Sequence, residues 1–342
     1  MTHGRHPVVS VIVPAFNNGS FIKFAIESIF RQTYPAGLTE IIVIDDGSDD
    51  NTGEIVHEYL DRVTYIYQEN RGIAGARNRG LAVAKGGIIT FLDADDEWYE
   101  ERIRKVVNKF MESPEAGLVY HSIELIDSNG NIIHRNFNKS FGYKEGIRGW
   151  VTNDISSGRI FCGGSSFAFR RDVVKRAYPV PEDIKRGIDF YMVALSSCYA
   201  QTEYIPETLG KYRLHSDNTT MFAGHRDCSE MAKVNMDFAH MRQRFLEIIK
   251  NCEGFCMKAI DLNTIKRVRA KEIIFYNVLT GKRIEGIRQI PALFKGDFNY
   301  KDFLKGIAVS FVALFVPGPF FHNLVKGYGF LQRLKYERFT GY

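Results

Sequence analysis

Residues 86–99, GGIITFLDADDEWY, decide how this chain is read. The apolar run Ile88–Leu92 has the composition of a buried strand, and it ends abruptly in Asp93, Ala94, Asp95 and Asp96. Three carboxylates within four residues repel one another unless a positive charge sits among them. A divalent cation carrying a phosphate supplies such a charge. A solvated acidic turn after a strand is the plain alternative.

The preceding sequence places that turn in a sheet. Val8–Val13 is a continuous run of mostly β-branched residues, read as a strand buried on both faces and ended by Pro14. Phe21–Gln32 carries apolar residues at helical spacing after the turn chemistry of Asn17-Asn18-Gly19-Ser20. Ile41–Ile44 is a second strand, ending in Asp45-Asp46-Gly47-Ser48. Asn51 with Glu54 reads as a capping pair for a helix to about Asp61. Val63–Tyr67 is a third strand and Gly72–Ala84 a third helix. Strands alternating with helices imply an α/β fold built on a mostly parallel sheet. Ligands of such sheets bind at the carboxyl ends of the strands. Phe16-Asn17, Asp45-Asp46 and Asp93–Asp96 should therefore converge. No G-x-G-x-x-G follows the first strand and no Walker lysine motif is present, which speaks against a dehydrogenase or a P-loop enzyme. A phosphate here must be held by a cation and by basic side chains, for which Arg71, Arg77 and Arg79 are the candidates, with Arg79 the one that reads most readily as a plain surface arginine.

VSVIVPAFN ending at Asn17, IIVIDDGSDD (41–50), NRGIAGARNRG (70–80) and ITFLDADD (89–96) resemble, in order and spacing, the inverting glycosyltransferases of the GT-A fold, glycosyltransferase family 2. The resemblance is strong over the first third of the chain and looser over residues 160–220. It implies that Pro14, Ala15, Phe16 and Asn17 line the donor nucleotide, with Asp45, Asp46, Arg71, Arg77, Asp93 and Ala94. It also implies Asp95 as the main ligand of a Mn²⁺ or Mg²⁺ ion on the sugar-nucleotide diphosphate, with Asp93 and His215 as further ligands. Asp96 reads as a support or a helix cap. Gly163, Gly164 and Ser165 would lie beside the donor sugar and acceptor. The family carries a Glu-Asp pair where this chain has Ile188-Asp189, so Asp189 is the expected catalytic base and Ile188 a departure. Glu182-Asp183 is a literal Glu-Asp pair but lies among turn residues, which ranks Asp183 second.

Asp93–Glu101 reads as opening a helix through about Glu112, with Glu97, Glu100 and Glu101 in its first turns. Gly117–Leu125 is a strand, turned at Asp127–Gly130. Tyr204–Pro206 and Gly210–Leu214 frame an edge strand. The expected division is a GT-A domain over 1–222 (nucleotide half 1–110, acceptor half 111–222), a helical appendage over 223–300 and an amphipathic tail over 301–342. The tail has basic residues beside an apolar stripe, which suits peripheral contact with an anionic membrane, or else an oligomer contact.

The 342 residues, 45% of them hydrophobic, are ample for a buried core. A net charge of +5 is too weak an excess to point to nucleic acid. Five cysteines without paired spacing read as free thiols in a reducing compartment. Met1–Pro7 is polar, so no secretory signal is expected. With these features, the resemblance implies a metal-dependent, inverting hexosyltransferase at the cytoplasmic face of a membrane. A UDP-sugar is the expected donor and a hydroxyl of a glycan or lipid-linked acceptor the recipient, in polysaccharide or glycoconjugate synthesis. The alternative, supported by Ile188, is a catalytically silent nucleotide-sugar-binding scaffold. A nucleotidyltransferase would want a glycine- and lysine-rich triphosphate loop that the first strand lacks.

Overall fold

The computed structural model describes residues 6–135, 137–140, 143–156, 160, 163–215, 228–251, 265–266, 268–270 and 273. The tail over 301–342 and most of the second half of the appendage lie outside them. The chain divides into two units, one of residues 1–214 with 254–260, the other of residues 215–253 with 261–342.

The first unit is a mixed α/β layer structure. Its strands are β1 (Val9–Ala15), β2 (Thr39–Asp45), β3 (Thr64–Tyr67), β4 (Ile88–Phe91), β5 (Glu97–Trp98), β6 (Ala116–Ile126), β7 (Ile132–His134), β8 (Phe167–Arg170) and β9 (Gln201–Arg213). They form one sheet in the order β3-β2-β1-β4-β8-β6-β9-β5, with β7 paired to β6. The first four neighbours are parallel, as the alternating sequence predicted, and β8 joins β4 antiparallel. The helices α1 (Ile22–Phe30), α2 (Thr52–His57), α3 (Gly72–Val83) and α4 (Arg102–Glu112) supply the outer layers. α4 shows why: Ile103, Val106, Val107 and Phe110 recur at helical spacing and all lie in the core with Val11, Val13 and Val43 of the sheet.

Several boundaries differ from the sequence reading. Pro14 does not end β1, which continues to Ala15 in register with Asp45. Beyond Ile12 the strand pairs with β2 alone, because the pairing with β4 stops at Ile12 and Phe91, so the missing N–H of proline is tolerated. α2 is shorter than expected, and Asn51 makes no side-chain cap; the Thr52 N–H instead meets Asp50 Oδ1 at 2.9 Å. Glu97 is not in the first turn of a helix but in β5, paired with Lys211 of β9. β9 is one 13-residue strand and not two pieces at an edge. It lies between β6 and β5, and Pro206-Glu207 fall where its register with β6 slips, so the proline breaks no ladder bond.

In the second unit the helix Cys228–Asn251 buries Met241, Phe245 and Ile249, spaced one turn apart. Among the described residues no helix is long and apolar enough to cross a membrane.

Candidate active site

The carboxyl ends of β1, β2 and β4 bring the predicted polar residues to one edge. Pro14, Ala15 and Ala94 are buried, and Phe16 projects with 48% of its surface exposed. Asn17 adopts a left-handed backbone (φ 53°) that its own side chain helps to hold: Oδ1 accepts the Asp49 N–H at 2.9 Å. The two aspartates after β2 serve the loop directly. Asp45 accepts the Ser48 N–H (2.9 Å) and the Tyr65 hydroxyl (2.7 Å). Asp46 Oδ1 accepts Gln68 Nε2 (2.6 Å) and the Arg71 N–H (2.9 Å). Asp46 thereby fixes the start of α3. The Arg71 guanidinium makes a bidentate contact with Glu182, at 3.1 and 2.5 Å.

α3 carries the pivotal residue. Arg77 is 1% exposed and donates to Asp93 Oδ1 at 3.0 Å and to Asp189 Oδ1, joining the acidic turn to the helix Ile188–Ser197. Burial opposes the guanidinium charge, yet the two carboxylates hold its pKa above the ordinary value. Burial, then the nearby charges of Asp189 and Asp95, push the Asp93 carboxyl up to about 7 against the opposing pull of Arg77. Asp189 is the second residue of its helix, which Gly187 starts with a left-handed backbone at φ 77°. Ile188, the departure from Glu, is 3% exposed, so that position is used for packing.

Gly164 lies against all three side chains. A Cβ there would stand 2.6 Å from Arg77 Nη2, 2.7 Å from Asp189 Oδ1 and 3.3 Å from Asp93 Oδ1. Gly163 precedes it in an extended conformation. Ser165 ties this turn to the acidic one: its hydroxyl donates to Asp96 Oδ2 at 2.6 Å and accepts the Asp93 N–H at 3.1 Å. Asp96 is thus a buried support, its carboxyl pushed well above the usual range by burial and by Asp95 and Asp93.

Sequence reasoning missed Arg213. It is 1% exposed, pairs with Glu97, and donates to the carbonyls of Asp95 (2.9 Å), Asp127 (3.1 Å) and Ser128 (3.1 Å), while its own N–H meets Asp96 Oδ1. The end of β9 therefore shapes the acidic turn from behind. Nothing in a lone arginine at the end of a strand signals this. Arg213→Met is expected to destabilise the first unit by about 3–5 kcal/mol, because it strands three carbonyls and leaves Glu97 with the more distant Arg31 and Lys211, both at 3.8 Å, and urea unfolding checks it.

His215 begins the second unit and is described with it. Among the described residues no group of three or more metal-capable side chains converges. The strand-end site offers the carboxylates of Asp93 and Asp95, whose mutual repulsion a cation would relieve. Two carboxylates fit Mg²⁺ or Mn²⁺, which take oxygen ligands and complete their shell with water and substrate phosphate.

Residues 10–177 match the model of glycosyl transferase family 2. An uncharacterised glycosyltransferase of Nostoc sp. is 28% identical over 66% of this chain and 70% of its own length. Glycosyltransferase GlyG of Streptococcus pneumoniae is 38% identical over 36% of this chain, and the match spans only 42% of that relative. Two solved structures share the fold. Staphylococcus aureus TarS 1–349 in complex with UDP has a TM-score of 0.53 at 17% identity, covering 85% of this chain and 94% of that one. Mannosyltransferase PcManGT of Pyrobaculum calidifontis, in complex with GDP-Man and Mn²⁺, also scores 0.53, at 19% identity over 97% of this chain and 87% of that one. Residues 10–177 of this chain thus resemble glycosyl transferase family 2, and the chain carries the GT-A fold.

Proposed function

We propose that the chain is an inverting glycosyltransferase that moves a sugar from a nucleotide-diphosphate sugar to an acceptor hydroxyl. The observation that carries this reading is the meeting of Asp93, from the donor-side sheet, and Asp189, from the far side of the site, on the single buried guanidinium of Arg77. In this reading Asp93 is the donor-side carboxylate and Asp189 the proton acceptor, held on either side of one guanidinium.

Asp189 lies beyond the residues matched by the family model; its role as base is what the resemblance implies, and its ion pair with Arg77 supports it. Its Oδ1 accepts from Arg77, and Oδ2 has no partner among the described residues. Oδ2 is the atom proposed to take the acceptor proton as the hydroxyl oxygen attacks the anomeric carbon. The bond from that carbon to the diphosphate breaks in the same displacement, so the sugar configuration inverts. The donor nucleotide is proposed to lie over Phe16 and Asn17 with Asp46 beneath, its diphosphate near Arg71 and Asp95. Asp95 and Asp93 would hold a divalent cation, which when bound supplies charge neutralisation to the leaving diphosphate.

A UDP-sugar is the proposed donor, in keeping with the UDP complex of TarS, and PcManGT with GDP-Man makes a GDP-sugar the first competitor to test. A glycan or lipid-linked alcohol is the proposed acceptor. The test is release of nucleoside diphosphate from a panel of UDP- and GDP-sugars with Mn²⁺ or Mg²⁺, with product stereochemistry read by NMR. Release of pyrophosphate, or a product that retains configuration, sinks the reading. Asp95→Asn is expected to remove at least about tenfold of the Mn²⁺-dependent gain in UDP affinity, measured by calorimetry with and without the ion.

A further inference from the structure

Arg77 and Asn78 are consecutive residues of α3, and both reach across to the segment that leads into the Asp189 helix. Arg77 holds Asp189 itself. The Asn78 amide clasps the backbone of Val180 from both sides: Nδ2 donates to the Val180 carbonyl at 2.8 Å, and Oδ1 accepts the Val180 N–H at 2.8 Å. A primary amide offers a donor and an acceptor on one planar group, which suits this pair of hydrogen bonds to a single residue. The clasp is shielded from solvent, with Asn78 8% and Val180 1% exposed. Past Val180 the chain has little slack. The Ile184 N–H closes a turn on the Pro181 carbonyl at 3.1 Å, Ile184 is 1% exposed, and Gly187 then turns the backbone into the helix.

We propose that Asn78 is a positioning residue for Asp189. It acts through the backbone at Val180 to set where the Asp189 carboxylate stands relative to Asp93, without touching substrate. The proposal rests on the reading of Asp189 as the base. A displacement of about 1 Å at a reacting group costs on the order of a hundredfold in rate, so a small slip of this segment is measurable.

The test is a double-mutant cycle on the full chain, read as nucleoside diphosphate release from the UDP- and GDP-sugar panel and as UDP affinity with Mn²⁺. Asn78→Ala is expected to lower kcat by about tenfold to a hundredfold, with donor KM and UDP affinity within about twofold. In an Asp189→Asn background the same substitution is expected to add nothing, because the group it positions is already lost. Asn78→Asp keeps the acceptor for the Val180 N–H and lacks the donor, and it serves if the alanine variant does not fold. An equal fold-loss in both backgrounds overturns the proposal. So does an unchanged kcat, a loss of UDP affinity in step with kcat, or failure of both variants to fold. Full turnover in Asp189→Asn overturns the base reading and takes the proposal with it. An impaired Asp189→Asn combined with an additive Asn78→Ala overturns the proposal alone.

Discussion

Asp189→Asn is expected to lower turnover about a thousandfold while leaving UDP affinity within about twofold. The substitution keeps shape and removes basicity. An asparagine can still present Oδ1 to Arg77, so the buried guanidinium retains one of its two partners and Asp93 the other. What changes is the second position, where an amide nitrogen replaces the carboxylate oxygen proposed to accept the proton. A donor now stands where an acceptor is required. Nucleoside diphosphate release and calorimetric UDP binding, measured side by side, separate the two effects. Turnover within about threefold of the parent removes Asp189 as the base. The neighbouring carboxylates do not substitute for it in this geometry: Glu182 is bonded to Arg71, and Asp183 is exposed. Asp183→Asn is accordingly expected to leave kcat within about twofold, the ordinary result for a surface change.

Gly164→Ala is expected to lower kcat by about a hundredfold and to weaken UDP binding by a few-fold, with the fold retained. The added methyl group would overlap atoms of Arg77 and Asp189 and crowd Asp93. These three side chains hold one another, so none can swing aside without breaking an ion pair. The cheapest relief is to part the acidic turn from the Asp189 helix, which is the separation that matters for a displacement at one carbon. Overpacking of this kind costs about 1–3 kcal/mol of stability. Gly37→Ala, where nothing lies within 4 Å of the added Cβ, is the matched control. Equal, near-parental activity in both variants removes the claim that the Gly164 turn is fitted to the three side chains.

Much of the site was legible because strand ends in a parallel sheet share an edge. Once Val8–Val13, Ile41–Ile44 and Ile88–Leu92 are read as strands, the polar residues after each must meet, and they do. Arg77 was legible as a basic candidate for holding a phosphate at the strand ends. What was not legible depends on partners distant in sequence. Arg213 meets Asp95 across 118 residues, and Asn78 meets Val180 across 102. Glu97 was read as a helix-start acid because such acids are favourable there. Its true partner, Arg213, and its place in β5 are set by a strand that arrives much later in the chain. Tyr204–Pro206 and Gly210–Leu214 were read as framing an edge strand, whereas β9 lies between β6 and β5, and the register slip opposite His121 and Ser122 accommodates Pro206.

The clasp by Arg213 has a consequence for how such a domain is inherited. The segment that matches the family ends at residue 177, yet the shape of its acidic turn is enforced from residue 213, and its buried Arg77 and Asn78 are completed from residues 189 and 180. A gene fusion or truncation that cuts at the edge of the recognisable segment would therefore leave the motifs and discard their scaffolding. The portable module, the length that recombination must move intact, runs through the end of β9.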